Sequence, residues 1–239
     1  MRLADMSWDE AEAYLRKNDR VILPLGATEQ HGRMGPLGTD HLIPQSLADA
    51  LSQATGAVCA PCLPYGVSEH HMAFPGTVSI RPRSYIAFAE DLVESLYRHG
   101  FRRVFVINGH GGNLAPLNCT FQDLCNAHLD LKVRIYQWWT LPGIEDLERE
   151  LFGSDGICHA SPGEVSLAQH ARPEARKAKK VPPGIAKPWG EDFMNRERER
   201  ATFPDGVLGS GDQNRTDPVK GKAMFDRILG LLRERFDSL

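Results

Sequence analysis

A chain of 239 residues, 41% apolar and 25% charged, can bury a sizeable core, and that balance excludes disordered, collagenous and coiled-coil classes. Twenty-eight Lys and Arg against 31 Asp and Glu leave a net charge of −3, too little field to hold nucleic acid or an anionic membrane, so a small-molecule substrate is expected. The uncharged stretch Ala50 to Ser68, which no other exceeds in length, carries Gly56, Gly66, Pro61 and Pro64 and is too polar to span a bilayer, and the acid-bearing start MRLADMSWDE lacks a signal peptide's apolar run, so the expected location is the cytosol.

Trp8 to Asn18 reads as an amphipathic helix capped by Ser7. Val21 to Leu25 is a short apolar run that breaks at Gly26, the pattern of a buried strand emptying into a loop. Asp40 is placed to cap a helix through about Ser52, and Val58 to Leu63 can form a second strand. The Gly-, Pro- and His-rich PYGVSEHHMAFPGTVSI reads as a long functional loop. Ser84 to His99 has one wide apolar face and a stop at Gly100. Arg103 to Asn108 is a buried strand running into GHGGN; a helix from Asn113 to about His128 and a strand from Lys132 to Trp138 follow. Alternation of this kind predicts an α/β fold with a mainly parallel sheet, whose ligands gather beyond the carboxyl ends of the strands.

Past Thr140 the pattern weakens to a short segment ending at Phe152, a Gly-rich loop to Ser161 and a helix from Pro162 to His170. Ala178 to Asn214 carries no assignable element and suits a lid, a subunit contact or a surface loop. Asp217 and Pro218 then open a helix with Phe225, Ile228, Leu229, Leu232 and Phe236 as its buried stripe. Cys59, Cys62, Cys119, Cys125 and Cys158 are odd in number and read as free thiols of a reducing compartment; the CxxC of Cys59 and Cys62 has no second pair to complete a zinc site.

The chemistry concentrates in the loops. In GATEQHGRMGPLGTDH, Glu29 and His31 are two apart, so an extended chain points both to one side about 7 Å apart, and the glycines before Asp40 let a second carboxylate return. An imidazole among carboxylates suits Zn²⁺, Mn²⁺ or Fe²⁺. His110, between glycines at the end of a buried strand, adds a second imidazole; the alternative is a turn histidine bonded to a backbone carbonyl. Glu164 stands in SPGE, which is also a capping box led by Ser161, so it is open between ligand and cap; a pair of ions sharing a bridging aspartate wants a further acid, which favours the ligand. His159, on a Gly-flanked loop, is then placed as a proton donor.

The succession LPLGATEQHGRMGPLGTDH, PYGVSEHHMAFPGTVSI, VFVINGHGGN, HASPGEVSL and GVLGSGDQNRTDPVKGKA resembles the creatininase (creatinine amidohydrolase) family over residues 20 to 225. The resemblance implies a single creatininase-like domain over 1–239, a three-layer αβα sandwich, and a hexamer. It implies two divalent ions, zinc or manganese, with Glu29 and His110 on one, His31 on the other and Asp40 bridging. In creatininase proper a glutamate two residues beyond the strand-end histidine is a ligand; Gly112 stands there, and relatives with GHGGN use the later acid, which is Glu164. His159 and Glu164 are the catalytic candidates. The resemblance also points to Glu69, His71 and Phe74 as substrate-pocket residues, with His71 favoured over His70, and to Trp138 or Trp139, of which Trp139 is taken, as a substrate-packing tryptophan. The implied reaction is attack of a metal-activated water on a cyclic amide, formamide or related C–N bond. The alternatives are a metal-binding assembly module without catalysis and a hydrolase or isomerase of sugar derivatives.

Overall fold

The protein is described from a computed structural model at residues 1–153, 156–177, 179–182, 193–209 and 211–239. Four parallel strands, β1 (Arg20–Leu25), β2 (Val58–Cys59), β3 (Arg103–Asn108) and β4 (Lys132–Gln137), form a sheet of order β2-β1-β3-β4. β1 and β3 are central and lie in register from Arg20 opposite Arg103 to Leu25 opposite Asn108, so both end at one level. Side chains of a strand alternate between faces, and helices cover both. On one face Val21, Leu23, Leu25, Val104 and Val106 pack against α3 (Pro82–Arg98) and α4 (Leu114–Ala127) through Tyr85, Val93, Leu117 and Phe121. On the other, Ile22, Phe105 and Ile107 meet Ile43, Leu47 and Leu51 of α2 (Thr39–Thr55), Leu167 of α6 (Pro162–Ala171) and Ile228 and Leu232 of α8 (Pro218–Asp237). Burying each such side chain stabilises the three-layer αβα sandwich by roughly 1.5–3 kcal/mol.

The remaining helices are α1 (Trp8–Leu15), α5 (Ile144–Phe152) and α7 (Arg196–Thr202). Most predicted elements stand, with differences that have local causes. The expected strand Val58 to Leu63 shortens to Val58–Cys59 plus one bridge between Leu25 and Leu63, because Pro61 and Pro64 have no N–H to give the ladder. Asp40 does not cap α2. Gly38 does, two residues earlier, and the Asp40 carboxylate lies instead against His31 and His110. In the segment that carried no assignable element, Ala178, residues 183–192 and Ser210 lie outside the described residues; α7 lies within it, capped by the Asn195 side chain accepting from Arg198 N–H at 3.0 Å. Its sequence RERERAT has no apolar stripe, which is why periodicity misses it. Cys59 and Cys62 are free thiols; burial pushes the Cys59 thiol up to about 12, as suits structural rather than redox cysteines.

Candidate metal centre

The ends of β1 and β3 deliver the site. A Cβ on Gly26 would lie 2.3 Å from the Asp40 carbonyl oxygen, and one on Gly109 would lie 2.0 Å from the same atom. Both strand ends therefore press against the first turn of α2, and any larger residue at 26 or 109 would push that turn away. Thus Asp40 arrives between the loop of Glu29 and His31, which follows β1, and His110, which follows β3. Asn108 clamps the second loop by donating from Nδ2 to the His110 carbonyl at 2.7 Å, and Asn113 ties it to β1 through the Gly26 carbonyl at 3.0 Å. At α6, the Ser161 hydroxyl accepts from Glu164 N–H, so Ser161 is a cap. The Glu164 carboxylate does not complete a capping box; its Oε2 accepts from Ala160 N–H at 2.7 Å. Ala160 holds φ +62°, a conformation alanine rarely adopts, at the turn between His159 and α6.

The two oxygens of Asp40 face two different imidazoles: Oδ1 is 2.9 Å from His31 Nε2, and Oδ2 is 3.0 Å from His110 Nδ1. Glu29 Oε1 lies 3.4 Å from His110 Nδ1, and Glu164 Oε2 lies 3.7 Å from His31 Nε2. Two sets of ligand atoms result, Glu29–Asp40–His110 and His31–Asp40–Glu164, with Asp40 common to both. The other nitrogen of each ring is already committed. His31 Nδ1 donates to the Glu29 carbonyl at 3.2 Å, and His110 Nε2 donates to the Val67 carbonyl at 2.8 Å. These bonds select the tautomers whose lone pairs point at the carboxylates, as in histidines that bind metal. Despite the short distances, Glu29 Oε2, His31 Nε2 and Asp40 Oδ2 are buried without a hydrogen-bond partner among the described residues. A buried core satisfied by hydrogen bonds would not leave three such atoms together, whereas divalent cations suited to nitrogen and oxygen donors would satisfy them.

The profile of the family described as creatininase, creatinine amidohydrolase, matches residues 4–236. The chain belongs to the creatininase family. It is similar to the creatinine amidohydrolase of Pseudomonas putida, 29% identical over 256 aligned positions spanning 98% of this chain and 96% of that one. It is also similar to the mycofactocin precursor peptide peptidase of Mycobacterium tuberculosis, 36% identical over 223 positions spanning 87% and 81%. Solved creatininases, one in a manganese form and one a variant of Zn–Zn type, share the fold with TM-scores of 0.82 and 0.81 at 24% identity, covering 99% of this chain and 97% of theirs.

Within this creatininase-family chain, position 112 is closed to a side chain: a Cβ there would stand 2.1 Å from the Val67 carbonyl oxygen and 2.5 Å from His110 Nε2. The acid facing His31 besides Asp40 is instead Glu164. A cavity of about 300 Å³ opens over the cluster, with Glu29, Asp40, His110, His159 and Glu164 on its polar side and Trp139, Ile157 and Leu208 on its apolar side. Trp138 is fully buried in the core, so of the adjacent tryptophans it is Trp139 that faces the cavity. His71 and His70 both line it. Glu69 and Phe74 do not: Glu69 is exposed at the start of a 3-10 turn, and the Phe74 ring lies under the Arg200 guanidinium at 4.4 Å.

Charge in the cluster is tightly balanced. Burial alone would lower His31, but Asp40 and Glu164 raise it to about 10 in the metal-free protein. Burial likewise opposes, and Glu29 and Asp40 outweigh it, so His110 is raised. Burial would raise Glu29, yet His110 and His71 hold it well below the usual carboxylate range. Burial lifts Glu164 to about 7. Burial, with His71 and His31 beside it, pushes His159 well below the ordinary imidazole value.

Sequence reasoning missed three residues. Gln30 donates from Nε2 to His159 Nε2 at 2.8 Å, while its Oε1 accepts from Gly32 N–H. Gln213 accepts from Arg33 and Met34 N–H and donates to the carbonyls of His31 and Ala160, joining the two ligand-bearing loops. Glu199, from α7, bonds His71 Nδ1. The GSGDQN run around Gln213 was a visible signal; Gln30 and Glu199 carried none beyond their residue type.

Proposed function

We propose that the protein hydrolyses an amide-type C–N bond of a small molecule with two divalent cations, one held by Glu29 and His110, the other by His31 and Glu164, and both by Asp40. The observation that carries this reading is the division of the two Asp40 oxygens between His31 and His110. Zn²⁺ or Mn²⁺, with Fe²⁺ suited to the same donors, supplies a water acidified toward a pKa of about 7 and a Lewis acid for the carbonyl.

The chain's own groups do the rest. Hydrolysis puts OH on the carbonyl carbon and H on the leaving nitrogen. The proton shed by the water would reach the leaving nitrogen through His159, which takes it up on Nε2 as the Gln30 bond is given up and releases the proton of Nδ1, a contribution of roughly 10² to 10⁴ in rate. Trp139, Ile157 and Leu208 would pack the apolar side of the substrate and exclude bulk water. The relatives' names, an amidohydrolase of creatinine and a peptidase, both denote cleavage of an acyl C–N bond, which supports the reaction class. The same reading takes the chain as one domain over 1–239 and as a cytosolic homohexamer. An odd count of five cysteines suits a reducing compartment, and no helix of the described residues is long and apolar enough to cross a membrane.

The test is to purify the protein without chelator, load it with Zn²⁺ or Mn²⁺, and follow cyclic amides, formamides and short peptides by product mass. Gain of one water, abolished by chelator and restored by metal, is the expected result. Two ions per chain with no turnover would favour an assembly module, and a product of unchanged mass would favour isomerisation. Light scattering reports whether the particle contains six chains.

A further inference from the structure

His71 stands between two carboxylates that come from opposite ends of the chain. Its Nε2 is 3.2 Å from Glu29 Oε1, and its Nδ1 bonds Glu199 Oε1. The same ring stacks on His159 with centroids 4.3 Å apart. We propose that Glu199 is a positioning residue for the metal centre: acting through His71, it fixes the Glu29 carboxylate toward His110 and Asp40. The inference rests on the binuclear reading above.

Three observations support it. Glu199 is completely buried, although α7 is only seven residues long and otherwise polar. Burying a carboxylate costs several kcal/mol unless a partner recovers it, so a helix that needed only to be anchored would be served better by an apolar residue. Next, Glu199 reaches the centre in one step, since its partner His71 is itself bonded to a residue of the Glu29–Asp40–His110 set. A carboxylate holding the far nitrogen of an imidazole sets the ring's orientation, and the ring in turn sets what its near nitrogen touches. Finally, α7 is tied to the turn that carries His71 by a second contact, the Arg200 guanidinium over Phe74, so seating α7 and orienting His71 are one event.

The experiment is to prepare Glu199→Gln, Glu199→Ala, His71→Asn and the double variant His71→Asn/Glu199→Ala, and to measure Mn²⁺ and Zn²⁺ per chain by elemental analysis after dialysis. Affinities come from calorimetric titration, and melting temperatures are recorded alongside. Expected is that one ion binds as in the unaltered protein and the other binds roughly 10- to 100-fold more weakly in Glu199→Ala. Glu199→Gln, which keeps an oxygen for the His71 N–H, should fall between, and the double variant should be no worse than His71→Asn. Lower melting temperatures with both affinities unchanged would overturn the proposal in favour of simple anchoring of α7. Should Glu199→Ala not fold, Glu199→Gln decides alone: unchanged affinity for both ions overturns the proposal. An unaltered protein that binds neither ion overturns the binuclear reading as well, whereas two tightly bound ions in every variant overturn only this inference.

Discussion

Asp40 Oδ1 and His31 Nε2 lie 2.9 Å apart in a dry site, while His31 Nδ1 donates to the Glu29 carbonyl. A bare lone pair on that nitrogen facing a carboxylate oxygen is unfavourable, so a proton fills the gap in the metal-free protein and a cation would replace it. Since the second oxygen of Asp40 stands in the same relation to His110, Asp40→Ala should lose both ions together and lower kcat/KM by roughly 10³-fold or more. Elemental analysis of the purified variant checks this; retention of one ion would show that Asp40 does not bridge.

Glu164 and Ser161 separate binding from capping. Glu164→Ala should lose one ion of two, whereas Ser161→Ala, which removes the hydroxyl that accepts Glu164 N–H, should keep both ions and lose about 1 kcal/mol of stability. If Glu164→Ala keeps both ions and only melts lower, its job is structural.

The metal-free protein should respond to pH in a definite direction. His31 is raised to about 10 from an ordinary 6.5, so its protonation stabilises the fold fully below about pH 6.5, and that contribution is lost as pH rises through 10. Chelator-treated protein should accordingly melt lower at pH 9.5 than at pH 7. Metal needs the unprotonated nitrogen, so uptake at pH 7 should release protons and tighten with pH. Calorimetry in two buffers of different ionisation enthalpy counts those protons; equal heats in both would contradict the assignment.

The two neighbouring tryptophans should give opposite readouts. Trp138 is fully buried, so Trp138→Ala should cost roughly 3–5 kcal/mol of stability. Trp139 lines the cavity; Trp139→Ala should keep both ions and raise KM about tenfold, the worth of one aromatic contact.

Gly112 should tolerate no side chain. With a Cβ 2.1 Å from the Val67 carbonyl oxygen, Gly112→Ala should displace the His110–Val67 bond, destabilise by roughly 1–3 kcal/mol and weaken one ion. Gly112→Glu should not rescue Glu164→Ala; restored occupancy in that double variant would refute the steric argument.

The alternating apolar runs and glycine stops were enough to place β1, β3, β4 and the helices between them, because burial on both faces of a parallel sheet leaves its mark residue by residue. The same reasoning singled out Glu29, His31, Asp40, His110 and Glu164, since short-range spacing and glycine-flanked histidines are local features. Other properties are not local. Whether Glu164 turns to Ala160 or to its own cap, which tryptophan faces the cavity, and that Asp40 serves two histidines rather than α2 all depend on where strand ends and helix termini meet. Glu199 is the clearest case: nothing in RERERAT marks its one buried acid, and only the packing of α7 over the turn at His71, 128 positions away in the chain, gives that carboxylate a partner and a reason to be there.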